Sequence, residues 1–226
     1  MKTLQILLLF SLTFCGAANR EFDFVEIRNQ IAEINVSFYS QALPSNTRLI
    51  ELGNAFEQLT QLSEDDYPNE LCGMKNLTKR ISMLNSSFKD FISFSNTSPG
   101  VDTLTKVFRG INNEFNSIFG KYFHNAMFSS NKKKMIIVST SMSCECTLEM
   151  CYKQEMEIQN LANKNPGMFE YAVIDGYYEY ELVDRYNSGF TPTIIILDEK
   201  NNEIKRLIRE EEIYTPLHEY LIKRGT

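Results

Sequence analysis

Tryptophan is absent from this chain, histidine occurs only at positions 124 and 218, and the longest basic run is Lys132-Lys133-Lys134. Each shortage removes a class of function. With a net charge of -6 and no basic stripe interleaved with aromatics, a nucleic-acid partner is not expected. The two histidines are remote from the cysteines in sequence, so a four-ligand structural zinc site lacks donors. Beyond the first residues, no apolar stretch approaches the ~20 residues that cross a bilayer. Cysteine is also scarce, with five residues in 226. A chain of this size that is 43% hydrophobic can bury a core without disulfide staples.

What the first residues contain sets the expected compartment. Lys2 supplies a positive start, Leu4 to Phe14 is almost wholly apolar, and Gly16, Ala17 and Ala18 follow. This is the pattern of a signal peptide over 1–18, cut before Asn19. The protein is expected to be exported, to the periplasm or the extracellular space, with no membrane span after cleavage. A retained anchor and acylation at Cys15 are the alternatives; Phe14 is bulky where lipoprotein signals carry a small residue. The sequons at Asn35, Asn76, Asn85 and Asn96 carry no information about source in a chain so rich in Asn, Ser and Thr.

Residues 19–128 read as an all-α region. Ile27, Ile31, Ile34 and Phe38 recur at helical spacing before Pro44. Leu49, Leu52, Phe56, Leu59 and Leu62 form a second stripe, and Leu77, Ile81, Leu84, Phe88 and Phe91 a third. After a polar break with Pro99, Asp102 is expected to cap a fourth helix carrying Leu104, Phe108, Ile111, Phe115, Ile118 and Tyr122. Each stripe needs an apolar partner, either another stripe or the following region. A peptide-binding or dimerising groove is the sharper alternative.

From Ser129 the periodicity changes. Met135-Ile136-Ile137-Val138, Tyr171-Ala172-Val173-Ile174 and Thr193 to Leu197 are short strand-like runs. Helices are expected over Thr147 to Ala162 and Tyr178 to Tyr186. Lys200-Asn201-Asn202 reads as a hairpin turn into a strand over Glu203 to Arg209. Thr215 is expected to cap a last helix, with Pro216 at its first position. The order begins with a parallel βαβ unit and ends with a hairpin and a helix.

Three of the five cysteines fall together, as Cys144-Glu145-Cys146-Thr147-Leu148-Glu149-Met150-Cys151, directly after the first strand. A thiolate at a helix N-terminus is stabilised by free backbone N–H groups and the helix dipole. It then exchanges with disulfides through a mixed disulfide. Before the third strand stands Gly189-Phe190-Thr191-Pro192-Thr193, 48 residues after Cys144 by the Pro192 count.

The element order, the cysteine cluster and this proline loop resemble the thioredoxin-like superfamily over about ninety residues. The resemblance implies an α/β thioredoxin-like fold over 129–226, a central mixed sheet flanked by helices, preceded by the all-α region. It implies a cis Thr191–Pro192 bond facing the cysteines, with Thr191 offering backbone to a substrate strand. It further implies a thiol-disulfide oxidoreductase acting on protein thiols or disulfides, with a redox partner and no cofactor.

The departures are plain. The family's Trp and Cys-x-x-Cys are missing, and Val138-Ser139-Thr140 holds no buried acid. Proton transfer would fall to water, Glu145 or Glu149. Cys144, Cys146 and Cys151 are the candidate catalytic residues. Cys144 and Cys146 are near enough to pair in a strained ring, the pairing favoured here. Cys146 and Cys151 could pair only if the first helical turn is irregular. Three soft thiolates would also suit copper(I), making a metal-handling protein the alternative. A non-catalytic binding module is a third reading. Cys72, remote from the cluster in sequence, is expected to be dispensable for exchange.

Overall fold

The computed structural model describes residues 22–71 and 74–222; the expected signal segment, Cys15 and Cys72 lie outside them. Four long helices come first: α1 (Phe24–Tyr39), α2 (Asn46–Leu59), α3 (Leu77–Ser95) and α4 (Val101–Met127). The sheet region follows as β1 (Lys133–Ser139), α5 (Glu145–Lys164), β2 (Phe169–Asp175), α6 (Tyr180–Arg185), β3 (Thr193–Leu197), β4 (Glu203–Ile208) and α7 (Tyr214–Leu217). A π-helical turn, His218–Ile222, extends α7.

The expected elements are present, with differences at their ends. Asp23 caps α1, accepting from the Glu26 N–H at 3.0 Å, and Ser45 caps α2. Asp102 is not the cap of α4: Gly100 holds that position in extended conformation, and Asp102 lies in the first turn. There its charge still complements the helix dipole. Thr215 is not the cap of α7 either. The helix starts two residues earlier, with Ile213 as its cap and Tyr214 as its first residue, and Glu212 Oε1 accepts the Thr215 N–H at 2.9 Å. Leu62 lies beyond α2, half-buried in the turn. The helix expected over 178–186 is shorter at both ends.

The strands run in the order β2-β1-β3-β4. β1 and β2 are parallel, with Ser139 opposite Asp175; β1 and β3 are antiparallel, with Val138 opposite Thr193. Alternation along β1 decides what each face meets. Ile136 and Val138, with Ala172, Ile174 and Ile195, join the core of the helical half. Met135 and Ile137, with Val173, Ile194 and Ile196, pack on Ile158 and Leu161 of α5 and on Leu217 of α7. One hydrophobic core therefore runs across residue 129, and the four helices form a layer of the sheet region. Within it Phe115 and Phe119 stand 4.9 Å apart and Phe56 and Phe88 5.2 Å. Truncating such a buried ring to Ala typically costs ~3–5 kcal/mol.

The edge strand β2 shows how tightly the two halves meet. At Gly120 of α4, a Cβ would lie 2.4 Å from the Val173 carbonyl oxygen, so only glycine permits this approach. Arg28 of α1 lies between the Phe123 and Tyr171 rings, 4.8 and 4.9 Å from their centres. Its Nη1 donates to the Tyr171 carbonyl at 3.1 Å. Helices thus cover an edge that would otherwise invite another strand.

Candidate functional site

β1 ends at Ser139, and a short loop leads into α5, whose N-cap is Cys144. Two anchors fix that loop. Thr140 Oγ1 accepts the Met142 N–H at 3.2 Å. Asp175, buried at the end of β2, accepts from Ser141 N–H at 3.2 Å and from Tyr177 N–H at 3.0 Å through Oδ1. The Gly176 N–H reaches the Ser139 carbonyl at 2.9 Å, closing β2 against the same loop.

Cys144 and Cys146 are exposed, and Cys151 is buried; all three are free thiols. The Cys144 and Cys146 sulfurs stand 2.7 Å apart, and Cys144 Sγ lies 3.2 Å from Thr147 Oγ1. These contacts lower the Cys144 thiol to about 6, with the Cys146 thiol the largest influence and the Thr147 hydroxyl the next. The Thr147 N–H adds a weaker pull, its own bond going to the Cys144 carbonyl at 3.0 Å. Hydrogen bonds to the charged form are what stabilise this thiolate.

Cys151 has the opposite surroundings. α5 is regular from Glu145, so Cys146 and Cys151 are separated by ~7.5 Å of rise and face different directions. The pairing that needed an irregular first turn is therefore excluded. Burial pushes the Cys151 thiol up, against the pull of the Ser139 hydroxyl. One turn further on, Glu155 is fully buried. It accepts from Asn116 Nδ2 at 2.7 Å and from Gln159 Nε2 at 3.2 Å. Burial raises its carboxyl to about 7.

The Thr191–Pro192 peptide is cis. Pro192 precedes Thr193, which lies opposite Val138, so the proline loop and the cysteine loop share one edge of the sheet. The Pro192 carbonyl accepts the Arg209 N–H at 2.9 Å, and Thr193 Oγ1 donates to the Phe190 carbonyl at 2.6 Å. Thr191 is half-buried, and Phe190 is exposed beside it. Met142 and Tyr177, on loops at that same edge, and Tyr180, the first residue of α6, are exposed.

Sequence reasoning missed four contributors. Thr147 was read as the start of the helix, although its place three residues after the N-cap is a position that faces the cap side chain. Asp175 stood in plain view as a strand-ending Asp-Gly, with no pattern to tie it to the cysteine loop. Arg109 and Glu155 sit in helical stripes as ordinary polar residues. Glu145 and Glu149, the acids singled out for proton transfer, are both exposed, and Glu145 is paired with Arg109 at 2.8 Å. His124 is buried far along α4, its Nε2 2.6 Å from the Tyr186 hydroxyl. Among the described residues, no group of three His, Cys, Asp or Glu converges as metal ligands.

No family model and no curated protein matches the chain. Among solved structures, oxidized mitochondrial thioredoxin 3 of Saccharomyces cerevisiae is similar at 14% identity and a TM-score of 0.35, over 44% of this chain and 85% of that one. A designed protein is similar at 20% identity and 0.34, over 45% and 86%. Thioredoxin NaTrxh from Nicotiana alata is similar at 14% and 0.34, over 43% and 80%. The assignment itself rests on topology: a parallel βαβ unit, an antiparallel hairpin, the order β2-β1-β3-β4, and a cysteine-capped helix after β1. The C-terminal half of the chain is a thioredoxin-like fold, preceded by an all-α helical region.

Proposed function

We propose that the protein is an exported thiol-disulfide oxidoreductase whose reactive pair is Cys144 and Cys146. The observation that carries the reading is the exposed sulfur pair, 2.7 Å apart at the N-cap of α5, with the Cys144 thiol lowered to about 6. At pH 7 such a thiol is about 90% thiolate, against about 1% for a thiol at 9. The signal-like pattern over 1–18 supports export.

In the reducing direction, the Cys144 thiolate attacks one sulfur of a protein disulfide. A mixed disulfide forms, and the other substrate sulfur leaves as a thiolate. Cys146, once deprotonated, then attacks the Cys144 sulfur. The Cys144–Cys146 bond forms and the second substrate thiol is released. Two electrons have passed to the substrate, and a redox partner must return two to reopen the pair. Run backwards, the same steps oxidise a dithiol. The proline loop with Thr191 and Pro192 is the proposed seat of the substrate strand. Cys151, buried and turned away from the pair, is given no step.

Insulin reduction tests this reading. Wild-type turnover lost in both Cys144→Ser and Cys146→Ser is expected. Turnover equal to background in the wild type would overturn it and favour a non-catalytic binding module. Copper(I) binding is a second reading, because two adjacent thiolates can hold that ion alone. One tightly held copper per reduced chain, lost in both serine variants, would favour it.

A further inference from the structure

The helical half reaches the residue between the two cysteines through Arg109. Arg109 of α4 donates from Nη2 to Glu145 Oε1 at 2.8 Å. Glu145 is the residue between the two cysteines, within the first turn of α5. The two partners differ in exposure: the Arg109 side chain is 14% exposed and that of Glu145 62%. The cation is thus held by its surroundings, and the carboxylate comes to it. Burial pushes the nearby Tyr152 phenol of α5 well up, and Arg109 opposes that rise only in part. Beside Arg109, an open cavity of about 390 Å³ is lined by further charged groups, Asp102 and Lys106 of α4 and Glu149 and Lys153 of α5.

A bare carboxylate beside a thiolate would repel it. At ~7 Å in a water-like medium, that repulsion raises a thiol by about 0.4 unit. An arginine on the carboxylate cancels it. We propose that Arg109 is a positioning residue of the thiol site, through which the helical half holds Glu145 neutralised beside the Cys144–Cys146 pair. This inference rests on the reading of that pair as the reactive site. It gives the helical half a part in the chemistry as well as in the core.

The test is the pH profile of Cys144 alkylation by iodoacetamide in the reduced full chain, followed by peptide mass mapping. At 10 mM salt, Arg109→Met is expected to raise the midpoint by about 0.4 unit and slow alkylation at pH 6 by about twofold. Three further results are expected of an electrostatic role. The shift fades at 1 M salt, where the Debye length is about 3 Å. It disappears in the Arg109→Met/Glu145→Gln double variant. Arg109→Lys keeps most of the wild-type midpoint. An unmoved midpoint in Arg109→Met, or a shift that survives both salt and the double variant, overturns the proposal.

If Arg109→Met fails to fold, Glu145→Gln alone decides. Its site is exposed, and removal of the carboxylate should leave the midpoint unchanged or lower it by up to about 0.4 unit. An upward shift overturns the proposal. Insulin turnover, measured alongside, separates the two claims. A moved profile without wild-type turnover keeps the role of Arg109 and sinks the oxidoreductase reading. Turnover with an unmoved profile does the reverse.

Discussion

One helix carries two kinds of cysteine. At the N-terminus of α5, Cys144 and Cys146 are exposed, in contact, and near a free helix end. Two turns on, Cys151 is buried, with its thiol pushed up by burial and by the Glu155 carboxyl. On the proposed reading, the same residue type is reactive at one end and inert in the middle, its thiol lowered in one place and raised in the other. Exposure decides which: burial outweighs the pull of the Ser139 hydroxyl on Cys151, whereas Cys144 keeps its donors, Cys146 and Thr147, together with water at the helix end. The helical half takes part at both places. Arg109 meets Glu145 at the exposed end. Asn35, Asn112 and Asn116 join Gln159 and Glu155 at the buried one.

The largest effect that would break this contrast is at Cys144. Cys144→Ser should lower exchange by more than about a hundredfold, since a serine hydroxyl offers no thiolate near neutral pH. Retained turnover would mean that Cys146 or another thiol starts the reaction. In the wild type, alkylation of Cys144 should rise through pH 6 and level off by about pH 7.5. Its lower basicity costs some intrinsic nucleophilicity, so the plateau rate should be modest for a thiolate. A midpoint near 9 would remove the claim that Cys146 and Thr147 stabilise the charge.

Next in size is Glu155. Its carboxyl is raised to about 7 in the folded chain, against ~4.5 for an unperturbed carboxyl. Below the unfolded value both states are protonated and the group costs nothing. Between the two values the unfolded chain ionises first, so stability falls as pH rises from about 4.5 to 7 and is then constant. Glu155→Gln keeps an acceptor for Asn116 and removes that loss, which is of order 3 kcal/mol at pH 8. Denaturant unfolding of both chains at pH 5 and pH 8 measures it. Equal stabilities at pH 8 would show that the carboxylate is better solvated than its burial implies.

How much of this was legible in the sequence depends on range. Apolar periodicity located the four N-terminal helices and apolar runs the first three strands, because core faces repeat whatever they pack against, while the short 3-10 helices Glu64–Asp66 and Asn69–Leu71 carried no such pattern. The strand over Thr193–Leu197 was located to the residue, its β-branched run bounded by Pro192 and a turn. Caps were less secure. Asp102 and Thr215 are good capping residues by type, yet Gly100 and Glu212 do the work, because chain direction into a helix is set by packing. The cluster of cysteines was visible, and the choice between pairings reduced to where α5 begins. What no local pattern held were the long-range partners. Arg109 lies 36 residues from Glu145, and Asn35 124 residues from Gln159. Nor did composition show that α4 lies so close on β2 that Gly120 cannot bear a Cβ.

The smallest expected effect is at Cys151, and it is the sharpest test of the contrast. Cys151 is 2% exposed and belongs to α5 in its regular part, five residues beyond Cys146. A thiol there cannot reach Cys146 without unwinding the helix, and the cost of breaking a turn argues against such a state in each cycle. Cys151→Ala removes one buried sulfur, for a loss of roughly 1–2 kcal/mol in stability if the surroundings do not close over it. Exchange should stay within about twofold of the wild type, because neither the sulfur pair nor Thr147 is touched. Iodoacetamide should leave Cys151 unmodified in the native chain and modify it only with unfolding. A folded Cys151→Ala protein with turnover reduced more than tenfold would instead make Cys151 a working thiol. The two ends of the cluster would then have to meet through an opening of α5, and the division between reactive end and inert middle would fall.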